Sequence, residues 1–159
     1  ATLAAAAAGA QVTHVDASKG MVTWAKENAV SSGLGDAPIR WLVDDCVKFV
    51  EREIRRGNTY DAIIMDPPSY GRGPKGEIWK IEDMIHPLIK LCTKILSKDA
   101  LFFLVNSYTT GLAPAVLTYM ISTELKPWNG HVDSQEIGLP VTDSGLVLPC
   151  GASGRWERD

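Results

Sequence analysis

Apolar and polar positions along this chain switch repeatedly between a helical and an extended period. Residues 1–8 are mostly alanine, the residue with the best intrinsic helix propensity, and Gly9 is suited to close a helix there. The pattern then shortens: Val12 and Val15 predict a strand over residues 11–15 that ends at Asp16. Ser18 is placed to cap a helix running through Ala29 and stopped by Ser31-Ser32-Gly33. Ile39 to Val43 reads as a second strand, ending in Asp44-Asp45. Val47, Val50 and Ile54 then recur at helical spacing, with Arg55 and Arg56 in the last turn and Gly57 after it.

The run Tyr60-Asp-Ala-Ile-Ile-Met-Asp66-Pro67-Pro68-Ser69-Tyr70 carries the most information. Ile63, Ile64 and Met65 predict a short buried strand. Proline has no N–H for a sheet ladder and keeps the residue before it extended, so Asp66 is fixed at that strand's end. A glycine-rich loop over residues 71–76 follows. Ile81, Met84, Ile85, Leu88, Ile89, Cys92, Ile95 and Leu96 then form one long helical stripe, which Pro87 should kink or restart. Residues 101–105 read as a buried strand ending at Asn106-Ser107, residues 113–125 as a helix, and residues 134–137 and 145–148 as two final strands.

Strands alternating with helices predict an α/β fold, a mostly parallel sheet with helices on both faces. The last two strands have no helix between them, so one should run antiparallel. No repeat or linker interrupts residues 1–159, which therefore read as one domain of ordinary size. Parallel strands share a carboxyl edge, where ligands bind in open α/β sheets. Asp16, Asp44-Asp45 and Asp66 end three successive strands, so their side chains should converge on one cleft that favours hydroxyls, amines or positive charge.

Composition narrows the options. Sixteen basic against nineteen acidic residues give a formal charge of −3, so no overall basic surface announces nucleic acid, and none excludes it. The basic clusters Arg52-Glu53-Ile54-Arg55-Arg56 and Arg72-Gly73-Pro74-Lys75 are small. No apolar run is long enough for a membrane span, and the start of the chain lacks the basic region of a secretory signal. Cys46, Cys92 and Cys150 are odd in number and in no CxxC pair, and His14, His86 and His131 are as scattered. That pattern argues against a disulfide framework or a metal site and favours a reducing cytoplasm.

Taken in order, these segments resemble the class I S-adenosylmethionine-dependent methyltransferases. The resemblance is strongest to the large-subunit ribosomal RNA enzymes whose fourth motif reads Asp-Pro-Pro. It runs from Val15-Asp16-Ala17-Ser18 and Ala25-Lys-Glu-Asn28-Ala29 through Asp44-Asp45-Cys46 and Asp66-Pro67-Pro68-Ser69-Tyr70 to the Gly145-Leu-Val-Leu-Pro149 strand. It implies a Rossmann-like methyltransferase fold and S-adenosyl-L-methionine as cofactor, with ribosomal RNA as partner.

The resemblance also assigns roles. Asp16, with Ala17 and Ser18, would accept hydrogen bonds from the ribose hydroxyls of the cofactor, unless Asp16 merely caps a helix. Asp45 and the Cys46 backbone would meet the adenine amino group, and Asp45 could also cap the following helix. Asp66, Pro67 and Pro68 would form the catalytic floor where sulfonium and target base meet, Asp66 accepting an N–H of the base. Ser69, Tyr70, Arg72, Asn106 and Ser107 would contact the substrate. Tyr70 either stacks on a flipped-out base or packs over its loop. Arg72 and Lys75 either close over RNA phosphates or belong to a mobile surface loop.

Two departures stand out. The family opens with a strand and a glycine-rich turn, whereas this chain starts directly at Ala1-Thr2-Leu3, as a fragment lacking that first strand would. Another segment should then fill the gap, and an upstream RNA-binding domain would be unsurprising. The related cytosine-C5 enzymes place a nucleophilic cysteine after the fifth strand, where this chain has Asn106-Ser107-Tyr108. Cys46 and Cys92 read as buried inert thiols, which leaves Cys150, after the last strand, as the one thiol with an open case for that role. A ring or amino nitrogen, guanine among the candidates, is therefore the favoured acceptor. A nicotinamide-binding domain would need GxGxxG before Asp16 and has no use for Asp-Pro-Pro. A protein or small-molecule methyltransferase, or a cofactor-binding module without activity, remain the other readings.

Overall fold

The structure, a computed structural model, describes residues 1–73 and 76–159. Its internal contacts divide the chain into two units, Ala1–Arg56 and Gly57–Asp159.

In the first unit, α1 (Thr2–Ala7), β1 (Val12–Asp16), α2 (Lys19–Ser31), β2 (Ile39–Val43) and α3 (Cys46–Arg56) follow one another. β1 and β2 pair in parallel, in a register that sets Val12 beside Ile39 and Asp16 beside Val43. The Ser18 hydroxyl accepts the Met21 N–H at 3.3 Å and so opens α2, while Gly33 leaves it at φ +72°, a conformation costly for any side chain. α2 buries Val22 and Ala29. α3 departs from the expected stripe: it buries Phe49, Val50 and Glu53, while Val47 and Ile54 are only half-buried. Glu53 is fully buried and pairs with Arg56 Nη1 at 2.9 Å. A buried carboxylate with partners keeps its place on the inward face, which apolar spacing alone could not reveal.

In the second unit, β3 (Ala62–Met65), β6 (Phe102–Ser107), β8 (Val147–Glu157) and β7 (His131–Pro140) form a sheet in that spatial order. β3 and β6 are parallel, and β8 is antiparallel to both β6 and β7. Only β8 is therefore reversed, because it returns from β7 through a hairpin closed by the Val141 N–H on the Leu146 carbonyl at 2.8 Å. Both final strands are longer than the sequence pattern indicated, and the ladder with β6 is made by residues 152–157. There Ala152, Gly154 and Trp156 alternate inward, two of them too small to register as an apolar pattern. A Cβ at Gly154 would lie 2.8 Å from Leu117 Cβ and Ile121 Cδ1, so the helix packs directly on the strand backbone.

That helix is α5 (Pro114–Glu124), which buries Leu117, Met120 and Ile121. α4 (Ile81–Thr93) buries Ile81, Ile85, Leu88, Ile89 and Cys92. At about 1.5–3 kcal/mol for each large apolar side chain removed from water, this stripe dominates the helix's stability. The helix is shorter than its stripe: Ile95 and Leu96 are buried beyond it, where the Ile95 carbonyl accepts the Tyr60 N–H at 2.8 Å. Pro87 neither ends nor restarts the helix and stands on its exposed side.

Of the segment expected as a glycine-rich loop, Gly71 and Arg72 belong instead to a strand, β4 (Tyr70–Arg72), which pairs antiparallel with β5 (Ile78–Lys80). Gly76, at φ +85°, turns the chain back. Lys75 of the expected basic loop lies outside the described residues. Among the described residues, no helix is long and apolar enough to cross a membrane.

Candidate active site

In the first unit, the two strand ends are locked by their own backbones. The Ser18 N–H donates to Asp16 Oδ1 at 2.6 Å, a tight turn that leads through Ala17 into α2. The Asp44 N–H donates to the Asp16 carbonyl at 3.0 Å, so the segment after β2 continues beside the end of β1. Asp44 is used structurally: its carboxylate accepts the Asp45 N–H at 2.9 Å and pairs with the Arg52 guanidinium. Asp45 caps α3, Oδ1 accepting the Lys48 N–H at 2.9 Å.

Asp16 and Asp45 thus each spend one carboxylate oxygen on a local turn. Among the described residues, neither second oxygen has a protein partner. Cys46 completes this group, its Sγ 3.8 Å from the Val15 carbonyl. Its residue is exposed rather than buried, against the expectation from sequence, because it opens α3 at the strand edge. Desolvation around the sulfur, then the charges of Asp16 and Asp45, push the thiol pKa above its ordinary value. A thiol held in its neutral form is a poor nucleophile.

In the second unit, Asp66 directly follows β3. The register pairs Met65 with Val105, so its continuation sets Asp66 level with Asn106. The Asp66 residue is exposed, yet partial burial of its carboxyl group raises the pKa above the ordinary aspartate value. The Pro67-Pro68-Ser69 segment beyond it is tied at three points. Trp79 Nε1–H donates to the Pro68 carbonyl at 2.6 Å, and the Ile81 N–H to the Ser69 carbonyl at 3.1 Å. The Ser69 and Thr109 hydroxyls lie 2.7 Å apart.

Tyr70 and Arg72 are exposed, and Arg72 Nε–H donates to the Tyr70 hydroxyl at 3.0 Å. Asn106 is half-buried, whereas Ser107 points to the opposite face of β6 and is fully buried, its Oγ accepting the Thr109 N–H at 3.2 Å. Both lie within β6 and not after it. Cys150 likewise lies within β8, half-buried, with Sγ 3.3 Å from the Leu148 carbonyl.

Trp79 and Thr109, which hold this loop, belong to none of the motifs in the sequence. A usable signal existed for Trp79: Tyr70-Gly-Arg72 and Ile78-Trp-Lys80 flank a glycine-rich stretch, the arrangement of a short hairpin. Thr109 carries no such signal.

No family model matches the chain. In fold, it superposes on an S-adenosylmethionine-dependent methyltransferase from Agrobacterium tumefaciens with a TM-score of 0.90. The two share 42% identity over 99% of this chain and 52% of that one. A second structure, of a suspected methyltransferase complexed with SAH, gives a TM-score of 0.75 at 22% identity, over 97% of this chain and 41% of that one. Among curated relatives, ribosomal RNA large subunit methyltransferase K/L of Shewanella frigidimarina is 32% identical over 97 residues, 57% of this chain and 13% of that protein. Ribosomal RNA large subunit methyltransferase K of Neisseria meningitidis is 29% identical over 108 residues, 67% of this chain and 30% of that protein. The chain thus spans less than a third of the length of these two curated relatives.

The chain has the fold of the S-adenosylmethionine-dependent methyltransferases. In sequence it resembles the large-subunit ribosomal RNA enzymes among them.

Proposed function

We propose that residues 1–159 form one catalytic domain of an S-adenosylmethionine-dependent methyltransferase that modifies a base of ribosomal RNA. The observation that carries this reading is Asp66-Pro67-Pro68 closing β3, in a chain whose relatives are named as ribosomal RNA methyltransferases. The residues of the first unit fit the cofactor. Each of Asp16 and Asp45 keeps one carboxylate oxygen open, the first suited to a ribose diol and the second to an adenine amino group.

Bound there, S-adenosyl-L-methionine supplies the methyl group as a sulfonium. The protein's task is then alignment and a suitable field, since methyl transfer is an in-line displacement. Asp66 accepts an N–H of the acceptor base, and its carboxylate takes the proton released when a nitrogen is methylated. Partial desolvation of this carboxyl group strengthens that hydrogen bond and raises its proton affinity. Pro67 and Pro68 offer no N–H and little backbone freedom, so the floor beside Asp66 stays fixed.

The acceptor is a ring or amino nitrogen. Addition to cytosine C5 needs a thiolate, and the end of β6 offers Asn106 and a buried Ser107 instead. An odd number of scattered cysteines and an RNA partner are consistent with a cytoplasmic enzyme.

The formal charge of −3 favours one other reading, a protein or small-molecule acceptor. Transfer of labelled methyl from S-adenosylmethionine to unmodified large-subunit ribosomal RNA separates the two. An N-methylated nucleoside in the digested product supports the proposal. 5-Methylcytidine would overturn the nitrogen assignment, and unlabelled RNA with intact cofactor binding would overturn the RNA reading.

A further inference from the structure

We infer that one face of the β4–β5 hairpin is a platform for single-stranded RNA flanking the target base, formed by Tyr70, Arg72, Ile78 and Lys80. The inference rests on the RNA reading of the proposed function and names a surface for it. The register pairs Tyr70 with Lys80 and Arg72 with Ile78, and side chains alternate along a strand. These four therefore share a face, and Gly71 and Trp79 fall on the other. Both cations and the tyrosine are on the first face.

All four residues of the platform are exposed, Tyr70 and Ile78 by 51% and 54%. Such apolar area on a two-stranded ribbon, far too small to hold its own core, gains most from a partner that covers it. An exposed aromatic ring between two cations is the combination that binds single strands: bases stack on the ring while the cations meet phosphates. Arg72 Nε–H on the Tyr70 hydroxyl restrains the phenol, so little order has to be imposed on binding. A folded protein partner would find only four residues here, well short of an ordinary interface.

The second face explains why the platform is useful where it is. Trp79 Nε1–H donates to the Pro68 carbonyl, and Gly71 offers no side chain over the Trp79 Cβ, 3.7 Å from where its own Cβ would stand. The hairpin is thereby fastened to the Asp66-Pro67-Pro68 segment. A strand held on Tyr70, Arg72 and Lys80 is held at a fixed offset from the acceptor residue, which converts RNA binding into base positioning.

Fluorescence anisotropy of a labelled single-stranded RNA, titrated with the whole chain at several salt concentrations, tests this without relying on methyl transfer. Replacing both cations (Arg72→Ala with Lys80→Ala) should weaken binding about tenfold and lower the salt slope by about 1.4, the value for two lost phosphate contacts on a single strand. Ile78→Lys adds a cation to the same face and should tighten binding and steepen the slope, a gain that a misfolded variant cannot imitate. Cofactor affinity should stay within twofold in each. Unchanged RNA affinity and slope in these variants, with wild-type RNA binding intact, would overturn the platform alone. No RNA binding by the wild type, alongside methyl transfer to a protein or small molecule, would overturn the RNA reading and the platform with it.

Discussion

The indole nitrogen of Trp79 donates its hydrogen to the carbonyl oxygen of Pro68 at 2.6 Å. Proline cannot return a backbone N–H, so the segment after Asp66 gets its anchorage from side chains and from chain further on. Trp79→Phe keeps a six-membered aromatic ring and removes the donor with the rest of the five-membered ring. The loss should cost about 1 kcal/mol of stability, the net worth of one hydrogen bond. Methyl transfer should fall more than that cost suggests, because a misplaced acceptor residue is penalised steeply. We expect kcat to drop by about tenfold with KM for the cofactor unchanged. A variant with wild-type kcat would show that the loop holds Asp66 without this bond.

Asp45 caps α3 with one carboxylate oxygen and, in the proposed site, offers the other to the cofactor, and substitution can separate the two. Asp45→Ala removes the cap on Lys48 N–H, at a cost of about 1 kcal/mol, together with the open oxygen. Asp45→Asn keeps a carbonyl acceptor for the cap, so its thermal midpoint should match wild type. Calorimetric titration with S-adenosylmethionine should then rank affinity as wild type, Asn, Ala. Equal affinity in all three would remove Asp45 from the cofactor site and leave it a helix cap.

What could be read from the chain depended on how local its cause was. Asp16, Asp45 and Asp66 end strands for reasons contained within a few residues, so their positions were legible. Ser107 was not: its neighbour Asn106 shares the strand, but only the alternation of the folded β6 shows which of the two turns inward. Glu53 carries no sign of burial in the sequence, since charged residues are seldom inside, yet it is fully buried with Arg56 as an ion-pair partner. The hairpin strands are three residues each, too short for any period to emerge, and are fixed by the Trp79 anchor and the turn at Gly76. The inward set Ala152, Gly154 and Trp156 was hidden for the opposite reason, since its small members make room for α5 without adding an apolar signal.

Gly154 supports a prediction confined to packing. An added methyl would meet Leu117 Cβ and Ile121 Cδ1 at 2.8 Å, and Leu117 Cβ belongs to the stem of a fully buried residue that cannot swing away. Gly154→Ala should therefore destabilise by about 1–3 kcal/mol, as overpacking does. Urea unfolding monitored by tryptophan fluorescence would read this as a lower midpoint at an unchanged slope. Adding Ile121→Val removes the Cδ1 atom that the new methyl would meet, so the double variant should fall short of the summed losses. Full additivity would mean that α5 does not rest on this glycine.

The acid at the end of β3 ties stability to pH in a direction that can be checked. Partial burial raises the Asp66 pKa in the folded protein above its unfolded value. Between those two values the native state holds more protons than the unfolded state, so stability falls as pH rises through the window and stays lower above it. Asp66→Asn has no charge to desolvate and escapes that loss. Its urea midpoint should exceed that of wild type at pH 7, and the difference should close as pH falls below the unfolded aspartate pKa. Under the proposed mechanism methyl transfer should move the other way, because there the same carboxylate accepts the base's N–H and the released proton. We expect the variant to lose transfer at every pH, and wild-type kcat to fall on the acid side at a higher pH than an ordinary aspartate would give. A variant no more stable than wild type at pH 7 would show that the burial carries no penalty. One as active as wild type would remove Asp66 from the chemistry.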